Sequence, residues 1–164
     1  MGVARQKNFV VVLLILITTL VLPLPVFAED PILAWPTHRP IADWISTGLV
    51  SAQIGADTWH AFKAEHRGRA FLNQGCRMGV AIGTTELAKV LIPRTRPDGS
   101  NRRSFWSGHT ANAVAAAGWR YEVGIPIAAS VGLLRGGAAK HYLSDVGIGA
   151  LDGALATWIC RGVK

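Results

Sequence analysis

The chain has 164 residues, half of them hydrophobic, with 17 Lys and Arg against 10 Asp and Glu, for a net charge of +7. That length suits one domain. The two cysteines are isolated from each other and from any paired histidines, which excludes a zinc module. The basic residues do not interleave with aromatics as a nucleic-acid-binding module requires.

The N-terminus reads as an export signal. Arg5 and Lys7 precede an apolar run from Phe9 to Leu22, Pro23 and Pro25 break the run, and Val26-Phe27-Ala28 places small residues where a signal peptidase reads them. Cleavage is expected after Ala28, leaving one domain over residues 29–164. An uncleaved anchor is the alternative, but the run is short against the ~20 residues a membrane span needs. Removing residues 1–28 leaves 15 Lys and Arg against 10 acidic residues, a net charge of +5. Such a basic exported protein suits anionic partners, whether phosphorylated small molecules or acidic lipid head groups.

Pro31, Pro36 and Pro40 disfavour a helix over 29–40. Residues 41–65 then space Ile41, Trp44, Ile45, Leu49, Ile54, Trp59 and Phe62 as a helix does. A second long apolar stretch covers 69–92, with a candidate break between Gly79 and Gly83, and carries Glu86 and Lys89 at its end. Residues 93–107 form a polar loop rich in Pro, Arg, Asp, Gly and Ser. An Ala-rich helix is expected over 108–120, a short apolar one over 123–134, a break at Gly136-Gly137, and a last helix over 145–160. No strand alternation competes, so the fold class is all-α. Trp35, Trp44 and Trp59 suit either a membrane interface or a packed core. Cys76 and Cys160 suit either a disulfide of an oxidising compartment or two small buried side chains.

Three segments concentrate the chemistry: Lys89 to Pro97 (KVLIPRTRP), Ser107 to His109 (SGH), and Arg135 to Asp145 (RGGAAKHYLSD). In order and spacing they resemble the type 2 phosphatidic acid phosphatase family, which shares its fold with the vanadium haloperoxidases and bacterial acid phosphatases. That family's pattern runs Lys, six residues, Arg-Pro; then Pro-Ser-Gly-His; then Ser-Arg, five residues, His, three residues, Asp. Lys89, Arg96 and Pro97 match its first part, Ser107, Gly108 and His109 its second, and Arg135, His141 and Asp145 its third. Trp106 stands in place of the usual Pro and Leu134 in place of the usual Ser, which bears on loop geometry and substrate preference. The match covers about the middle third of the chain.

The resemblance implies a compact helical bundle in which His141 attacks phosphorus and forms a phosphohistidine, without a metal or other cofactor. In a helix, Asp145 four residues on would share a face with His141 and accept a hydrogen bond from one ring nitrogen, freeing the other to attack. The bland alternative is a His–Asp pair capping a turn. Ser107 is a plausible N-cap, and Gly108 lets the backbone close on a ligand at a helix start whose dipole suits phosphate. A protonated His109 would donate to the leaving oxygen. Lys89, Arg96 and Arg135 would neutralise phosphate charge; a snorkelling helix end is the plain reading of Lys89. Arg94, Arg102 and Arg103 match no motif position and read as surface charge steering anions to the mouth.

The expected substrate is thus a phosphate monoester or pyrophosphate of a cell-envelope lipid, met by an exported protein that is periplasmic or associated with the periplasmic face of the inner membrane. Membrane-surface association is an expected partner interaction and nucleic acid is not. The later apolar runs, near 12–16 residues, are as well suited to a soluble or monotopic bundle as to spans. A soluble acid phosphatase on small esters is the nearest alternative. A vanadate-dependent haloperoxidase and a non-catalytic envelope protein are the others.

Overall fold

The computed structural model describes residues 39–163, so the expected export signal, Trp35 and most of the proline-rich stretch lie outside the described residues. Within it are five α-helices and no strand: α1 (Arg39–Lys63), α2 (Arg67–Leu91), α3 (Gly108–Ala116), α4 (Tyr121–Gly137) and α5 (Leu143–Cys160). A 3₁₀ turn, Ala117–Trp119, joins α3 to α4. The all-α expectation holds. Pro40 falls in the first turn of α1, where its missing N–H costs nothing.

Three boundaries differ from the sequence reading. α2 runs unbroken through Gly79 and Gly83; two glycines cost about 1 kcal/mol each in a helix interior, which packing along a 25-residue helix outweighs. α4 runs to Gly137, three residues past the expected end at 134, and the chain does break there. The Ala-rich helix ends at Ala116 instead of running to residue 120. There the guanidinium of Arg77 intervenes: Nη1 donates to Ala115 O at 2.6 Å, and a Cβ on Gly118 would stand 1.9 Å from that nitrogen. Gln53 Nε2 donates to Ala113 O at 2.6 Å, so two buried side chains from α1 and α2 satisfy carbonyls at the end of α3 that the helix itself leaves open. Arg77 is neutralised in turn by Asp57, with Nη2 2.9 and 3.0 Å from its two oxygens.

Short α3 touches all four other helices and forms the centre of the bundle. Its alanines make this possible. Ala111, Ala113, Ala115 and Ala116 have no exposed surface; Ala113 packs with Val50, Ala128 and Val131 on one side, and Ala111 and Ala115 with Ala81 and Ala156 on the other. α5 approaches α3 through Gly149 and Gly153, one turn apart. A Cβ on Gly149 would lie 2.4 Å from Ser107 O, and one on Gly153 would lie 2.3 Å from Ala111 O. Cys76 and Cys160, open in sequence, form a disulfide tying α2 to the end of α5, with Cα atoms 5.8 Å apart.

Apart from buried Phe105, many of the larger apolar side chains point outward. Trp44 is 79% and Trp59 58% exposed, so neither is a core residue, and Leu72, Leu87, Val90, Leu91, Leu133 and Leu151 are exposed too. α5, at 18 residues, is the one described helix long and apolar enough to cross a membrane by length and composition, a test that core helices also pass.

Because the atoms a Cβ would strike at Gly153 are backbone of α3, the helices must separate to admit one. Gly153→Ala is expected to destabilise the fold by about 1–3 kcal/mol, read as a fall in Tm, whereas Gly147→Ala, at a position with open space around it, should be neutral or slightly stabilising.

Candidate active site

Successive helices alternate in direction, so one end of the bundle collects the start of α1, the end of α2, the start of α3, the end of α4 and the start of α5. All the motif residues lie at that end. Lys89 sits in the last turn of α2, with Nζ 3.3 Å from where a Gly108 Cβ would stand. Ser107 caps α3, its hydroxyl accepting from Thr110 N at 3.4 Å and from Thr110 Oγ1 at 2.9 Å. Arg135 closes α4 and is 4% exposed. Charges of Arg135, Arg96 and Lys89 are felt at both His109 and His141. The Nε atoms of Arg96 and Arg135 are buried without a hydrogen-bond partner, as are those of Arg39 and Arg77.

His141 and Asp145 depart from the expected pair. His141 precedes α5 instead of lying in it, and its Nδ1 is 2.6 Å from the backbone carbonyl of Ser104. A carbonyl only accepts, so Nδ1 carries the proton and Nε2 holds the lone pair. Burial, then the neighbouring Arg135, push the ring's pKa well below the ordinary histidine value. The imidazole is therefore neutral at physiological pH, with Nε2 available as a nucleophile. Asp145 acts one bond further away. Its Oδ2 accepts from Ser104 Oγ at 2.5 Å and from Tyr142 N at 3.1 Å, and its Oδ1 from Arg94 Nη1 at 2.6 Å. Burial pushes the carboxyl's pKa up, opposed by these same partners. Asp145 thus fixes Ser104, and Ser104 fixes the histidine.

Arg94 corrects the sequence reading. It is not a steering charge: it pairs with fully buried Asp145, and its guanidinium lies 3.9 Å from the centre of the Tyr142 ring. Arg103 ion-pairs with Glu86, which also accepts from Lys89 Nζ at 2.7 Å, so Arg103 too is held beside the cradle. Arg102 is exposed, as expected.

At α3, the Ser107 N–H donates to Asp145 O at 2.9 Å, so the first-turn donors left for an anion are the N–H groups of Gly108 and His109. His109 Nε2 lies 3.2 Å from Thr47 Oγ1. The single proton of that hydroxyl goes to Asp43 O at 3.0 Å, which makes Nε2–H of His109 the donor. Burial, then Arg135, hold His109 down to about 4. Both histidines are therefore neutral at physiological pH.

Sequence reasoning missed Asp43, Ser46 and Thr47 on α1, although polar residues at positions i, i+3 and i+4 of an apolar helix were a legible signal. It also missed what holds Trp106. The indole N–H donates to Thr85 Oγ1 at 3.0 Å; Asp152 accepts from Thr84 Oγ1 at 2.7 Å and from Thr85 Oγ1 at 3.4 Å. Among the described residues no group of three or more His, Cys, Asp or Glu is placed to hold a metal ion.

The lipid A 1-phosphatase of Porphyromonas gingivalis is similar to this chain, 31% identical over 107 residues that cover 56% of this chain and 24% of the relative. The matched region spans about a quarter of that protein's length. No family model matches the chain, and no solved structure does.

Burial holds Asp152 up to about 6, from an ordinary 3.8, against hydrogen bonds from Thr84, Trp106 and Thr85. A carboxyl that binds its proton more tightly folded than unfolded costs stability as pH rises between those two values, and the cost is complete above the upper one. Asp152→Asn is accordingly expected to raise Tm at pH 8 and to change it little near pH 4, with a gain of at most about 3 kcal/mol. An equal shift at both pH values would show that the carboxyl's charge is not the cause.

Proposed function

We propose that the chain is a phosphatase acting on a phosphorylated lipid. The observation that carries this reading is the arrival, at one end of the bundle, of a neutral histidine with a free Nε2, a second histidine at a helix start, and three cations. A phosphate would lie against Lys89, Arg96, Arg135 and the N–H groups of Gly108 and His109. Its negative charge would raise the pKa of His109 and protonate it.

His141 Nε2 then attacks phosphorus while the P–O bond to the leaving group breaks, and His109 gives its proton to the departing oxygen. Negative charge on the outer oxygens meets the arginines and Lys89. In the second step His109 takes a proton from water, the water oxygen attacks phosphorus, and the N–P bond breaks to release inorganic phosphate and restore neutral His141. No metal ion enters either step.

Two observations favour a lipid over a small ester. One is the similarity to a lipid A 1-phosphatase. The other is the apolar surface at the site's end of the bundle, where Ile41, Trp44 and Ile45 on α1 and Leu87, Val90 and Leu91 on α2 are exposed. Such a rim would lie against acyl chains or a membrane surface. The basic mature chain and the export signal read in residues 1–28 fit an envelope lipid met on the periplasmic side.

Phosphate release by the purified chain tests the proposal, with phosphatidic acid, phosphatidylglycerol phosphate, undecaprenyl pyrophosphate, lipid A and p-nitrophenyl phosphate as substrates and EDTA present. Release from a lipid should survive EDTA and fall at least about a thousandfold in His141→Ala. Activity confined to p-nitrophenyl phosphate would favour the soluble-ester reading, and activity that persists in the variant would remove His141 from the mechanism.

A further inference from the structure

The groups that would receive the phosphoester already hold partners from the first turns of α1. Asp43 Oδ1 accepts from Arg135 Nη1, Ser46 Oγ lies 3.5 Å from the same nitrogen, and Thr47 Oγ1 meets His109 Nε2. Asp43, Ser46 and Thr47 share one helix face, so a carboxylate sits on the cation expected to take the phosphoryl oxygens and a hydroxyl sits on the group expected to protonate the leaving oxygen.

The two members of the Asp43–Arg135 pair differ in burial. The Arg135 side chain is 4% exposed and the Asp43 side chain 38%. The guanidinium cannot leave its place without losing its paired carboxylate in a dry setting, which is costly. The carboxylate stands at the solvent edge and can be rehydrated by a rotamer change. Arg135 also presents a buried Nε with no partner. A phosphoryl group, with several oxygens for the guanidinium fork, satisfies that arginine better than the single contact from Asp43. The charge of Asp43 reaches His109 as well, which places it on the leaving-group side.

We propose that Asp43 is a resident anion on Arg135 that the incoming phosphoryl group displaces, and that its charge, left beside the bound group, selects for substrates with one phosphoryl group over those with two. The inference rests on the phosphatase reading and narrows its substrate class to monoesters. Repulsion from a displaced carboxylate that stays beside the site grows with the charge of the ligand, so a diphosphate is penalised more than a phosphate. None of the three motifs contains Asp43.

Calorimetric titration of the full chain with inorganic phosphate and with pyrophosphate tests this, comparing wild type, Asp43→Asn and Asp43→Glu, with thermal melts beside each. Asp43→Asn should bind phosphate about tenfold more tightly and pyrophosphate more tightly still, and Asp43→Glu, which keeps the charge, should stay near wild type in both. Asp43→Ser serves in the same role if the Asn variant does not fold. Weaker or unchanged phosphate binding on loss of the charge would overturn the proposal, and would make Asp43 a support for Arg135. Equal tightening of both anions would overturn the selectivity. A wild-type chain that binds neither anion would sink the phosphatase reading as well, which separates the two failures.

Discussion

Asp145 has no exposed surface, and its carboxylate takes hydrogen bonds from Ser104, Tyr142 and Arg94 while its carbonyl takes one from the N–H of Ser107. Those four partners come from the polar loop, the start of α5 and the cap of α3. A buried charge without compensation is expensive, and one satisfied on every side rigidifies whatever satisfies it. Ser104 is held by this carboxylate and in turn holds Nδ1 of His141; the tautomer of the histidine therefore depends on a carboxylate that does not touch it. The same residue sets the geometry of α3's first turn, where an anion would be bound.

The cradle around it is assembled from cations that the protein has partly neutralised. Glu86 accepts from Lys89 and pairs with Arg103, and Asp43 pairs with Arg135. Without those carboxylates, like charges crowded at one helix-bundle end would repel and destabilise the fold. With them the repulsion is relieved, while burial and the remaining cationic field hold both histidines below their ordinary pKa. Under the proposed phosphatase reading, an entering phosphate would change several equilibria together: it would replace a carboxylate, engage the arginines, and raise the pKa of His109. Positioning and charge rearrangement supply most of what phosphoryl transfer needs from a protein.

Packing explains why so small a bundle can hold this arrangement. Alanine along α3 and Gly149 and Gly153 on α5 let the central helix come within backbone contact of its neighbour. Helices that approach so closely leave little apolar volume inside, and the larger apolar residues, Trp44, Leu72, Val90 and Leu91 among them, are left outside. Arg77, Gln53 and Asp57 fill the interior with polar groups that close the end of α3. The disulfide between Cys76 and Cys160 fastens α2 to α5 behind that centre.

The helical fold was legible because apolar spacing along residues 41–65 and 69–92 and the Ala-rich run after Ser107 are local signals, and the Ser107 cap follows from the chemistry of a single side chain. The inventory of Lys89, Arg96, His109, Arg135 and His141 was legible too, as order and spacing in one dimension. Helix ends were less so: Gly136 and Gly137 do close α4, but Gly79 and Gly83 read as a break in α2, where packing overrode their local cost. Pairing was not legible at all. His141 bonds to a carbonyl from a loop 37 residues away, Arg94 reaches 51 residues to Asp145, and Asp43 reaches 92 residues to Arg135. The sequence by itself determined which charged and nucleophilic groups the chain owns and that they ride on helices. Only the tertiary structure decided which carboxylate neutralises which cation, because that choice depends on burial and distance between segments that local propensity does not relate.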